Sequence, residues 1–171
     1  MFRKYFKAWW LMTTKTTQIA FLSRFGALIF ILAKILRFVF FLIFLMLLAA
    51  RTNLIANYTL WQMIFFFAVF NLVDSIPQFF LREVYRFRNY IVSGDFDHFL
   101  TKPISPLFRS LFGGSDILDI PIIFISIGLI IISAAQIGPV TLGSLIVFLL
   151  LLTNALIIAF AFHIFIWGLG Y

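Results

Sequence analysis

The sequence predicts an all-α membrane protein: an N-terminal interfacial helix, four transmembrane helices, and a short cytoplasmic helix between the second and third. Four apolar runs are each long enough to cross a bilayer, and a backbone in lipid has no water to bond to, so each run must be helical. Hydrophobic residues make up 64% of the 171-residue chain against 11% charged, and the mean hydropathy is +1.12. That leaves too little polar surface to cover a water-soluble globule. Finally, the basic residues gather in two segments, and this asymmetry orients the spans.

Residues 1–24 carry Arg3, Lys4, Lys7, Lys15 and Arg24 and no acid. They have no central apolar stretch, so a cleavable signal is not expected. Phe2, Phe6, Trp9 and Trp10 recur at helical spacing, with Arg3, Lys4 and Lys7 largely on the other side, the pattern of an amphipathic helix lying among headgroups. The polar patch at residues 13–17 is expected to bend it.

The first span, residues 26–50, holds Lys34 and Arg37 three apart on one helix face. Charges at a helix centre are costly, so both are expected to snorkel to headgroups, the alternative being a cationic lining for an acidic substrate. In the second span, residues 60–80, Asn71, Asp74 and Gln78 form one polar stripe. It suits hydrogen bonding to a neighbouring helix, or else a place on a translocation path. Pro77 removes an amide donor and predicts a kink near Val73. The third and fourth spans are residues 117–135 and 141–171, and the fourth is overlong.

The connection at residues 81–116 holds Arg82, Arg86, Arg88, Lys102 and Arg109, whereas residues 51–59 and 136–140 carry one Arg between them. The N-terminus and the 81–116 connection are therefore expected in the cytoplasm. The same distribution accounts for the net charge of +7 without nucleic acid as a partner; membrane lipid is the expected one. With Cys absent there is no disulfide or thiolate metal site, and His98 and His163 lie too far apart in sequence to suggest a protein-only metal site. The 25 Phe residues mostly suit lipid-facing positions.

Within the connection, a helix is expected to about Val92, stopped by Ser93-Gly94. Asp95 is then expected to cap a second, short helix. Phe96, Phe99 and Leu100 fall on one side of it, Asp95, Asp97, His98 and Lys102 largely elsewhere, and Pro103 and Pro106 end it. Such a helix has little surface for chemistry but suits docking into a groove of another protein.

Residues 92–106 read Val-Ser-Gly-Asp-Phe-Asp-His-Phe-Leu-Thr-Lys-Pro-Ile-Ser-Pro. The order of a Gly, an acid-aromatic-Asp group, a Leu, a basic residue and a Pro resembles the signature of the type 2 permeases of ATP-binding-cassette (ABC) exporters. Leu107-Phe108-Arg109 and the Gly-Gly-Ser-Asp-Ile-Leu-Asp of residues 113–119 resemble one bacterial branch of them. The resemblance implies a multi-pass permease subunit in a bacterial cell membrane. It would pair with a second permease half, identical or different, and with two cytosolic ATPase subunits that bind ATP and Mg. No cofactor is implied for this chain, and catalysis is implied in the partners. Gly94, Asp95, Phe96, Asp97, Phe99, Leu100, Lys102 and Pro103 would form the ATPase-coupling element. In agreement, no Gly-rich loop ends in Gly-Lys-Ser or Gly-Lys-Thr; Gly113-Gly114 runs into Ser115-Asp116, a helix start. Such permeases usually have more than four spans, and the apolar tail lacks a basic end, so an N-terminal fragment with its last spans missing is expected, the alternative being that the last two helices come from another chain.

Two other functions compete. Asp95, Asp97 and His98, or Asp116 and Asp119, could hold a divalent ion in a metal-dependent lipid-headgroup enzyme, although helix capping and solvation explain such acids equally. A channel or scaffold subunit that never meets an ATPase is the other. His163 suits a hydrogen bond to a neighbouring helix.

Overall fold

The computed structural model describes residues 2–51 and 58–169. Most of the expected 51–59 connection and the last two residues of the expected fourth span lie outside the described residues.

Helix α1 (Phe2–Leu22) is continuous through residues 13–17, so the expected bend is absent. The hydroxyls of Thr14, Thr16 and Thr17 donate to the carbonyls of Trp10, Met12 and Thr13 at 2.7–2.9 Å, satisfying the patch inside the helix. After Ser23, α2 (Arg24–Arg51) begins at once. Helix α3 (Leu60–Leu81) is opened by a reciprocal cap: Thr59 Oγ1 accepts from the Gln62 amide, and Gln62 Oε1 accepts from the Thr59 amide. It continues through Pro77. Three short helices follow, α4 (Val84–Val92), α5 (Asp97–Leu100) and α6 (Pro106–Phe112). A 3-10 turn (Ile117–Asp119), capped by the Asp116 carboxylate on the Leu118 amide, leads into α7 (Ile120–Ile137), and α8 (Leu142–Leu169) completes the order. Among the described residues, four helices are long and apolar enough to cross a membrane.

Helix α3 is the hub, with its most extensive contact to α7 and further contacts to α8 and α2. Lipid tails are as apolar as Leu, so helices here associate by close packing rather than by escape from water. Ala68, Asn71 and Ser75 recur on one face of α3, and Ser126 and Ser133 on one face of α7; all are buried. Small side chains at that spacing let two backbones approach closely. Phe38 of α2 closes the other side, its ring 4.8 Å from that of Phe67, with Ile122 beside them.

A second cluster joins Leu81, Val84 and Leu111 with Phe160, Ile166 and Trp167 of α8. It explains the overlong fourth run. The 28 residues of α8 span about 42 Å, more than the ~30 Å of hydrocarbon, and the surplus lies against α4 beyond the end of α3.

Candidate functional site

The polar side chains converge where α3 ends and α7 begins, at the basic end of the bundle. Glu83, next after the Arg82 that closes α3, is 3% exposed. A carboxylate so buried destabilises the fold by several kcal/mol unless paired. Its Oε1 accepts from the Tyr90 hydroxyl at 2.9 Å and lies 3.8 Å from Arg109 Nη1, while Oε2 lies 3.7 Å from Arg86 Nη1. Arg109 also donates to the Gly113 carbonyl at 2.6 Å, and its guanidinium sits over the Phe99 ring, 4.9 Å from the centroid. Sequence reasoning missed this clamp. Its signal was available: Glu83 is the one carboxylate between Arg82 and Asp95 in a stretch rich in Arg.

The clamp holds the expected coupling element. Helix α4 ends at Val92 as the Ser93-Gly94 pair predicts, with Gly94 at φ +79. Beyond it the expected apolar face is rearranged. Phe99 is buried on Tyr90 and under Arg109, and Phe96 is half-buried with its ring 5.2 Å from Phe87; Leu100 alone of the three is exposed, at 58%. Helix α5 is a single turn, too short to carry three apolar residues on one outer face. Asp95 does not cap it; its carboxylate accepts from the Ser93 hydroxyl at 2.7 Å instead. Nor do both prolines end it: α5 stops at Leu100, and Pro106 opens α6, where its missing amide hydrogen costs nothing. Asp95, Asp97, His98, Lys102 and Pro103 are exposed.

A second network corrects the reading of Lys34. Its ammonium pairs with the Asp119 carboxylate and lies 3.8 Å from Asp116 Oδ2, which is in turn 3.6 Å from Arg82 Nε. The Lys34 and Asp119 side chains are 15% and 5% exposed. Lys34 therefore turns inward instead of snorkelling, because the start of α7 presents carboxylates at its own depth. Arg37 is exposed. The network ties α2, α3 and α7 at one level, and it engages Asp116 and Asp119, the acids that a metal reading required. Among the described residues, no group of three or more His, Asp or Glu side chains is placed to share a metal ion.

Helix α1 docks onto the same assembly. Trp9 Nε1 donates to Ser115 Oγ at 3.0 Å, the Ser115 amide donates to Thr13 Oγ1, and Lys4 Nζ donates to the Pro103 carbonyl. Trp9 is thus a contact to the connection rather than a purely headgroup anchor, whereas Phe6 and Trp10 remain exposed. The approach is tight, because a Cβ on Gly114 would fall on the Thr16 hydroxyl.

The α3 polar stripe bonds along its own helix. Asn71 Nδ2 donates to the Phe67 carbonyl at 2.8 Å, Gln78 Oε1 accepts from Arg82 Nη1 at 3.4 Å, and Asp74 is half-buried. His163 likewise meets the Ala159 carbonyl of its own helix at 2.7 Å rather than a neighbouring helix, with its ring edge-on to Tyr85.

Comparison with curated proteins and with solved structures gave no match. The family described as ABC-2 family transporter protein matches residues 26–169.

Proposed function

The chain belongs to the ABC-2 family of transporter proteins, and we propose from that premise that it is the permease subunit of an exporter whose ATP is hydrolysed in separate cytosolic subunits. Two such ATPases would carry ATP and Mg, and a second permease half would complete the translocation pathway. The protein would sit in a bacterial cell membrane with its N-terminus in the cytoplasm, following the excess of basic residues at that end. Asn71, Asp74 and Gln78 would contribute to helix packing or to the pathway.

One observation carries the coupling proposal: the projecting segment from Asp95 to Pro103 is seated through Phe99 on the Arg109–Glu83 clamp at the end of α3. A partner that engages its exposed Asp97, His98, Leu100 and Lys102 would pull on Phe99. Being packed rather than free, Phe99 would pass the displacement to α3. The Arg82–Asp116 and Lys34–Asp119 pairs would then carry α2 and α7 with it.

The test is crosslinking to the co-expressed ATPase from cysteines at Asp97 and His98, with Val140, in the connection between α7 and α8, as control. The loop positions should crosslink and the control should not. Leu100→Ala should weaken ATPase co-purification by about 1–3 kcal/mol while leaving the permease folded, since Leu100 is an exposed anchor. Transport that persists while the loop cysteines crosslink no better than Val140 sinks the assignment.

A further inference from the structure

Between α1, the first turns of α2 and the clamp lies a cavity of about 810 Å³. Five cationic side chains line it, Lys15, Arg82, Arg86, Lys102 and Arg109, against two carboxylates, Glu83 and Asp116. Those two acids are already engaged, Glu83 by Arg86 and Arg109, and Asp116 by Arg82 and Lys34. Among the described residues neither Lys15 nor Lys102 forms an ion pair, and Lys15 meets the neutral Gln18 amide oxygen at 3.3 Å. The wall toward the spans is apolar: Met12 and Ile19 from α1, Ala27 and Phe30 from α2. Ile19 is 67% exposed and Phe30 40% exposed, side chains left uncovered where α2 enters the bilayer.

A concave site with surplus positive charge at headgroup level and an apolar wall running into the membrane matches a molecule of the same two-part chemistry. We propose that this cavity binds an anionic amphiphile, its phosphate or other acidic headgroup held by Lys15 and Lys102 and its hydrocarbon lying along Ile19 and Phe30. Arg82, Arg86 and Arg109 stay with their carboxylates and add to the positive field. A free phosphate would satisfy the lysines but leave the apolar wall unused. Lys102 belongs to the coupling element as well, but the proposal needs no ATPase partner, and binding measured on the chain alone is read separately from the coupling assignment.

The experiment uses the purified full chain in a neutral detergent and native mass spectrometry with three probes: a phosphatidylglycerol, a phosphatidylcholine with the same acyl chains, and inorganic phosphate. Phosphatidylglycerol should be retained at least about tenfold more tightly than either of the others, the scale of a charge-assisted contact. Lys15→Gln with Lys102→Gln should remove most of that preference. The matched control, Lys7→Gln with Arg88→Gln, changes two exposed basic residues outside the cavity and should leave it within about twofold, well under the tenfold of a lost contact. Equal loss in the two double variants means general attraction to a basic surface and overturns the site. Retention of phosphatidylcholine equal to that of phosphatidylglycerol overturns the anionic headgroup, and phosphate binding as tight as the lipid overturns the amphiphile.

Discussion

Replacing Lys34 by Met keeps the length of the stem and its apolar packing but removes the ammonium from a pocket where it is 15% exposed. The partner left behind is Asp119, 5% exposed, whereas Asp116 keeps Arg82 at 3.6 Å. Breaking a buried pair from one side typically costs 3–5 kcal/mol, because a desolvated charge is stranded, so Lys34→Met should destabilise the permease by about 3–5 kcal/mol. The ammonium also lies 4.7 Å from the centroid of the Phe30 ring, a contact worth roughly 1 kcal/mol that falls inside that range. Removing both charges is a different perturbation. In Lys34→Met with Asp119→Leu nothing is stranded, and the double variant should lie within about 1 kcal/mol of the parent, since apolar replacements of buried pairs are commonly neutral or stabilising. The two substitutions should therefore couple by at least about 2 kcal/mol. Reversible unfolding in mixed detergent micelles, followed on the parent, both single variants and the double, reads all four corners of the cycle. If Lys34→Met falls within about 0.5 kcal/mol of the parent, as for an ordinary exposed site, Lys34 reaches headgroups after all and the interhelical network is wrong.

Three further outcomes are expected. Gly114→Val puts side-chain atoms onto the Thr16 hydroxyl and should lift α1, breaking the Trp9–Ser115 bond at a cost of about 1–3 kcal/mol; a red shift in tryptophan emission and faster proteolysis of residues 2–22 report it. At Gly94, where φ is +79 and space is open, Val should cost roughly 1–2 kcal/mol of backbone strain and lower transport, while Asn, which tolerates that region, should retain most of it. Cysteine at Ser105 should be labelled only from the cytoplasmic side and cysteine at Val140 only from the opposite one; labelling of both from one side refutes the four-span orientation.

The tertiary structure alone decided which polar groups meet. Periodicity shows that Lys34 lies on a helix face, but not what stands opposite that face, and its partner Asp119 is 85 residues away. A small rotation of α2 would send the same side chain to the headgroups. Glu83 and Arg109 pose the same problem at shorter range: the Arg-rich stretch marks Glu83 for pairing but not Arg109 as its partner, and their pairing over Phe99 depends on α6 folding back against α4. That fold-back also turned Phe99 inward, where helical spacing by itself had placed it beside Leu100. What the sequence determined unaided were the features set by local chemistry. Apolar length in a medium without water forces the four spanning helices, and α3 starts at the expected residue because Thr59 and Gln62 cap each other within one turn. The Ser93-Gly94 stop needs no distant partner, since the left-handed backbone belongs to the glycine itself. Pairing between charges on different helices needs the helices' rotation and depth, and those are set by packing of the whole bundle.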